Sequence, residues 1–146
     1  MLEELCRRNA AFVIYHADQM PRIVLDELKV HKLADGVYTV TVALKNTRSI
    51  PTIAQQAVRH QIGLPDRLSL SGDDLSVAVG GPLVDRDTGE IAAVERDPHA
   101  RCLENGFASH ATARYRWVVR GKDKSQGRVK YESQKGGTLT QPVTLE

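Results

Sequence analysis

The order of apolar and polar residues divides the chain into one helix followed by short strands. Near the amino terminus a mostly apolar stripe recurs at helical spacing, through Leu2, Leu5, Cys6, Asn9, Phe12, Val13 and His16. Pro21 ends this helix, because the residue before a proline avoids the helical backbone region. Residues 10–15 are apolar on every side. The helix therefore needs a partner surface, which is either the sheet of its own domain or a surface missing from this chain.

After Pro21 the pattern changes to the alternation that is typical of β-strands. The strongest example is the β-branched run 37–44, in which Tyr38, Val40, Val42 and Leu44 share one face. In the stretch 23–33 the apolar phase shifts, and a bulge near Asp26 would explain the shift. Further strands are expected at 68–70, 75–84, 91–94, 113–120, 129–133 and after Gly136–Gly137. Seven or eight short strands with turns between them predict a mainly β chain, an antiparallel immunoglobulin-like β-sandwich.

One strand has an especially regular alternation of aromatic or aliphatic residues with arginines. Its predicted core side comprises Ala113, Tyr115, Trp117 and Val119. Its predicted exposed side comprises Arg114, Arg116 and Arg120, joined on the next strand by Arg128 and Lys130. A row of this kind is more often a solvated face than an anion or nucleic-acid surface, and the aromatic interleaving that single-stranded nucleic acid requires is absent from it.

A short helix is predicted between strands, and it completes the domain division. Thr52 and Gln55 have the spacing of a capping box, and Gly63 followed by Pro65 ends the helix. We expect a terminal helix at 1–21, a sandwich domain at 22–144, and a possible expression-tag remnant at 145–146.

Composition excludes several classes of protein. The apolar fraction of 41% and the charged fraction of 26% are those of a soluble globular domain. A net charge of +2 is too small to indicate nucleic acid, and no apolar run is long enough to span a bilayer. Cys6 and Cys102 are expected to be two separate buried thiols, with a single bridge as the alternative. The two cysteines do not indicate the cellular compartment of the protein.

No constellation of catalytic or metal-binding residues is evident in the sequence. The five histidines, His16, His31, His60, His99 and His110, lack the spacing of a zinc site, and no nucleophile elbow is present. The segment DRDTGE (85–90) is similar to the start of a calcium loop, but a hairpin turn explains it better. We therefore assign no catalytic, cofactor-binding or metal-binding residue and expect no cofactor.

Four stretches carry a resemblance to a known family. EELCRRNAAFVIYHADQMP resembles the last helix of the catalytic domain in bacterial zinc carboxypeptidases of the carboxypeptidase A-like group. The accessory domain that follows it is resembled by VHKLADGVYTVTVALKNTRSIPTIAQQAVR, GLPDRLSLSGD and SQKGGTLTQ. The resemblance implies a non-catalytic C-terminal domain of an exported metallopeptidase, periplasmic or extracellular, that packs on an upstream catalytic domain, where the zinc would lie. An independent adhesion or glycan-binding module is the alternative. Without the catalytic domain, the terminal helix is expected to pair with a second copy in a homodimer.

Overall fold

A computed structural model describes residues 2–85, 88–92, 97 and 99–146 of the chain. Its described part contains two helices and eight strands. They are α1 (Leu2–Asp18), β1 (Ile23–Ala34), β2 (Val37–Asn46), α2 (Gln55–His60), β3 (Asp66–Ser71), β4 (Leu75–Pro82), β5 (Ala100–Leu103), β6 (Thr112–Gly121), β7 (Gln126–Ser133) and β8 (Gly137–Thr144). Sheet A has the strand order β1-β2-β6-β4 and sheet B the order β5-β3-β7-β8, with antiparallel pairing throughout. The prediction of a mainly β sandwich with one terminal and one inserted helix is confirmed.

The core lies between the two sheets and is built from alternate residues of each strand. In β2 the predicted inward set, Tyr38, Val40, Val42 and Leu44, is almost fully buried. Trp117 and Tyr131 are fully buried on the facing sides of β6 and β7. Because successive side chains of a strand point to opposite faces, the alternate apolar positions of each strand were enough to predict these core residues.

The prediction for β6 is confirmed at three core positions and needs two corrections. Tyr115, Trp117 and Val119 are buried, whereas Ala113 is exposed. Ala113 lines an inter-sheet cavity of about 100 Å³ near the end of the sandwich, and its small side chain does not fill it. Arg120 is exposed as expected, but Arg114 and Arg116 are half-buried.

The first strand pair has the predicted irregularity. The β1–β2 register shifts between Leu25 and Glu27, which places a bulge at Asp26. Because the bulge adds one residue to β1, Leu25 before it and Leu28 and Val30 after it all pack against the core. The connection to β2 is a tight turn in which Gly36 adopts a φ of +72°, a conformation that glycine tolerates without a steric cost.

The connection after β4 folds back as a hairpin in its described part. Val84 N–H donates to the Glu90 carbonyl, Gly89 N–H donates to the Asp85 carbonyl, and Leu83 pairs with Ile91. Residues 86, 87 and 93–96, which include part of the predicted calcium-like turn and of the predicted strand 91–94, lie outside the described residues. The strand β5 was not predicted, because its four residues carry no clear alternation.

The capping box predicted for the inserted helix is wrong. The helix begins after Ala54, which makes no side-chain cap, and the helix ends at Gln61 in a left-handed conformation. Thr52 is buried instead, and its Oγ1 accepts a 2.7 Å hydrogen bond from the Phe107 backbone N–H. The hydroxyl that could have capped the helix therefore joins two loops at one end of the sandwich.

The structure also changes the picture at the cysteines and at the carboxyl terminus. Cys6 and Cys102 are both free, and both are exposed, so the expectation of buried thiols is wrong. Leu145, which lies beyond the predicted sandwich range, is fully buried in the core. Its backbone N–H donates to the Ser125 carbonyl, and its carbonyl accepts from Lys124.

Candidate interaction surfaces

Helix α1 projects from the sandwich with no buried residue along its length. Its largest apolar side chains are exposed, with Phe12 at 66% and Ile14 at 69%. The alternative that α1 lies across the sheet of its own domain is therefore wrong. Adjacent exposed apolar side chains of this kind are typical of an interaction site.

Only the carboxyl end of α1 is fastened to the sandwich. The guanidinium of Arg48 donates two hydrogen bonds to the Asp18 carboxylate, at 2.9 and 3.0 Å. The Ile50 N–H donates to the Gln19 carbonyl at 3.1 Å, and Ser49 Oγ donates to Gln19 Oε1 at 2.9 Å. A bidentate ion pair restricts orientation as well as distance, so this junction sets the direction in which the helix leaves the sandwich.

The loop that holds α1 is itself organised by one buried side chain. Asn46 is fully buried, and its amide Nδ2 donates to the carbonyls of Ile50 and Ala108 at 2.9 and 3.1 Å. Its Oδ1 accepts from the backbone N–H groups of Arg22 and Arg48 at 3.2 and 3.1 Å. One amide thus joins the entry to β1, the loop after β2 and the segment before β6.

A serine and a histidine also meet at this junction, without forming a catalytic pair. Ser49 Oγ and His110 Nε2 are 3.4 Å apart, but the hydroxyl proton of Ser49 is directed at Gln19 Oε1. Ser49 Oγ is then left to accept from His110, which requires the tautomer with the proton on Nε2. The arrangement is structural.

A second buried polar cluster lies in the interior near α2. Tyr131 donates a 2.7 Å hydrogen bond from its hydroxyl to Asp66 Oδ2, and the Asp66 side chain is almost fully buried. Burial, and then the hydrogen bond to Asp66, raises the pKa of Tyr131 well above its ordinary value. Gly106 lies against this cluster, where an added Cβ would be 2.3 Å from Thr52 Oγ1. The cluster connects the loops around residues 52 and 106 to sheet B, to which both Asp66 and Tyr131 belong.

The outward arginines do not form the single basic patch that the sequence predicted. Arg114, Arg116 and Arg120 lie on β6 in sheet A, whereas Arg128 and Lys130 lie on β7 in sheet B. The two strands are consecutive, but the turn between them crosses from one sheet to the other. The two sets of cations therefore belong to different sheets of the sandwich.

Two surface grooves have defined walls. One, of about 240 Å³, lies beside α2 and has both apolar and polar residues in its lining, including Ile53, Ile62, Gln61 and Glu104. The other, of about 260 Å³, runs over the outer face of sheet A between β1 and β6. No group of three or more side chains among the described residues could hold a metal ion.

The aromatic residues bear on the glycan-binding alternative. Apart from Phe12 and Tyr15 on α1, all the aromatic side chains are buried: Tyr38, Phe107, Tyr115, Trp117 and Tyr131. The sandwich therefore has no aromatic platform for stacking a sugar. Neither α1 nor any other helix of the described chain combines the length and the hydropathy that crossing a membrane requires.

Comparison with protein families gives one match. A model described as "Domain of unknown function (DUF8731)" covers residues 22–144. The chain belongs to the DUF8731 family. No curated protein matches the sequence.

Several solved structures are similar to this DUF8731 domain. A conjugate transposon protein from Bacteroides vulgatus is 12% identical, with 87% of this chain and 84% of that chain covered and a TM-score of 0.48. A conjugative transposon lipoprotein from Bacteroides eggerthii is 11% identical, with 86% and 96% covered and a TM-score of 0.46. A β-glycosidase from Bacteroides vulgatus is 12% identical over 87% of this chain and 14% of that chain, with a TM-score of 0.38.

These findings correct the family resemblance drawn from the sequence. The family that matches is DUF8731, over residues 22–144, so the prediction of a carboxypeptidase accessory domain is wrong. The upstream catalytic domain, its zinc and the implied export have no support once that resemblance is removed. The adhesion or glycan-binding alternative is not supported either.

Proposed function

We propose that this DUF8731 chain is a non-catalytic assembly module that associates with a second copy through α1. The observation that supports the proposal is the exposed helix itself, which is held to Arg48 through Asp18 and has no buried residue along its described length. A single helix of 17 residues, about 25 Å long, is marginally stable in water when nothing packs against it. Pairing with a second copy would stabilise the helix and would also bury its apolar side.

The spacing of residues along α1 favours another helix as the partner. Positions 2, 5, 9, 12 and 16 alternate in steps of three and four, as the a and d positions of a two-stranded coiled coil do. Leu2, Leu5 and Phe12 occupy three of them. We call positions 2, 5, 9, 12 and 16 the seam. A second copy has the same seam, so the two helices can pair symmetrically.

The polar members of the seam suit a weak and specific pair. Asn9 lies in the middle of the seam, and a single buried asparagine at such a position selects register and a two-stranded state at some cost in stability. Burying the three large apolar side chains of each helix contributes about 9–18 kcal/mol, against about 4–15 kcal/mol for the association. We expect a reversible dimer with a dissociation constant of about a micromolar or weaker.

Sedimentation equilibrium over a wide range of protein concentration tests the proposal. The test variant is Phe12→Gln, in the seam, and the matched control is Ile14→Gln, because Ile14 is as exposed as Phe12 but lies outside the seam. We expect Phe12→Gln to weaken dimerisation about tenfold or more and Ile14→Gln to change it little.

Deleting residues 2–17 supplies a second test that keeps Asp18. We expect the truncated chain to unfold cooperatively as a monomer, because no residue of α1 is buried. A full-length chain that is monomeric at all concentrations would contradict the proposal. Equal weakening by the two glutamine variants would show that the seam is assigned to the wrong face.

A further inference from the structure

The outer face of sheet A forms a groove because its central strand carries small side chains. On β2 the outward residues Thr39, Thr41 and Ala43 lie between longer residues of β1 and β6. Register places Lys29 and Arg116 on either side of Thr41, and Glu27 and Arg114 on either side of Ala43. The result is a groove of about 260 Å³ between walls of long charged side chains.

The charges along the groove are mostly positive. The described lining residues include Lys29, Arg114, Arg116 and His31, and the one carboxylate among them is that of Glu27, which pairs with Lys29. Leu33, which is 58% exposed, and Leu83 add apolar contacts to the same lining. The arrangement is a cationic groove with apolar contacts, large enough for two or three side chains.

The two arginines of the groove differ in what already holds them. Arg116 donates from Nε to Thr41 Oγ1 at 3.0 Å and from Nη1 to the Gly89 carbonyl at 2.9 Å, so it fastens the hairpin after β4 to the sheet. Arg114 Nε is buried and has no hydrogen-bond partner among the described residues. A buried donor without an acceptor is costly, and a rotation of the Arg114 side chain toward an anion in the groove would satisfy it.

We propose that this groove binds a short acidic segment of a partner polypeptide, with the carboxylates at Arg114 and Lys29 and an apolar side chain at Leu33 or Leu83. Guanidinium and ammonium groups recognise carboxylates through charge-assisted hydrogen bonds. A nucleic acid suits the groove less well, because none of the described lining residues is aromatic and could stack on a base. The groove belongs to one copy of the chain and does not depend on the association of α1.

Fluorescence anisotropy with a labelled peptide, Leu-Glu-Glu-Glu-Leu, tests the proposal on the full chain. We expect Arg114→Gln to weaken binding of this peptide about tenfold, the effect of one charge-assisted hydrogen bond. The matched control is Arg120→Gln, which removes the same charge from the same strand at an exposed position outside the groove lining. We expect this control to stay within twofold of the unaltered chain.

A second variant protects the test against misfolding. Lys29→Gln changes an exposed side chain, so it should weaken peptide binding without affecting the fold, which the fluorescence of the buried Trp117 reports. Equal losses for Arg114→Gln and Arg120→Gln would show non-specific attraction and overturn the proposal. No measurable binding of the peptide, or tighter binding of a single-stranded DNA of equal charge, would also overturn it.

Discussion

Replacing Asn46 by alanine should destabilise the sandwich more than any surface change near α1. The substitution removes four hydrogen bonds and leaves the N–H groups of Arg22 and Arg48 and the Ile50 carbonyl without their partner, whereas the Ala108 carbonyl still accepts from the Ala111 N–H. Each such bond contributes about 0.5–1.5 kcal/mol net, and a buried group left unpaired costs about 1–3 kcal/mol. Because the loops can relax and admit water, we expect a loss of about 3–5 kcal/mol in the free energy of unfolding.

Urea unfolding followed by Trp117 fluorescence measures this loss directly. Trp117 is the only tryptophan and is fully buried, so its emission reports the core. With a denaturant slope of about 1–3 kcal/mol/M, the midpoint should fall by about 1–5 M. Such a loss is a large part of the roughly 5–15 kcal/mol that stabilises a typical domain.

The neighbouring residue provides the matched control for this prediction. Thr47 donates one hydrogen bond from its hydroxyl to the Arg22 carbonyl, at an exposed position. We expect Thr47→Ala to cost about 0.5–1 kcal/mol. If Asn46→Ala and Thr47→Ala have the same midpoint, the reasoning that Asn46 organises this end of the sandwich is refuted.

Four further predictions concern the core, the hairpin, alkaline pH and metal. Trp117→Ala should cost about 3–5 kcal/mol, and a water-exposed emission spectrum in the folded chain would contradict the burial on which this rests. Gly89→Ala should displace the hairpin after β4, because an added Cβ would lie 1.7 Å from Arg116 Nη1 and the φ of Gly89 is +72°. Slower proteolysis of that hairpin than in the unaltered chain would argue against this prediction. Since the pKa of Tyr131 is raised in the folded state, its contribution to stability is complete below the unfolded pKa of about 10 and is lost as the pH rises toward the folded value. Phenolate absorbance should show a late step coincident with unfolding, and Tyr131→Phe should reduce the amplitude of that step, to which the buried Tyr38 and Tyr115 also contribute. Finally, chelator-washed protein re-exposed to zinc and desalted should retain none, and one tightly held zinc per chain would contradict this.

Alternation along the chain was enough to predict the strands, because it depends only on the two-residue period of an extended backbone. The inward set of β2, the buried Trp117 and the bulge at Asp26 all follow from local apolar phase. The exposed helix was predicted to need a partner, since its apolar belt is visible in the sequence. The local pattern did not show whether the helix packs on the sheet of its own domain or on another surface.

Contacts between segments that are distant in the sequence decided which sheet each strand joins and which polar side chains are buried. The sequence places β6 and β7 in succession, but they enter different sheets, so the predicted basic patch is divided and a groove over sheet A takes its place. Asn46 and Thr52 look like ordinary polar residues until folding brings Ala108 and Phe107 beside them. Hydrogen bonds between segments more than fifty residues apart leave no periodic signal in the sequence, and only the tertiary structure reveals them.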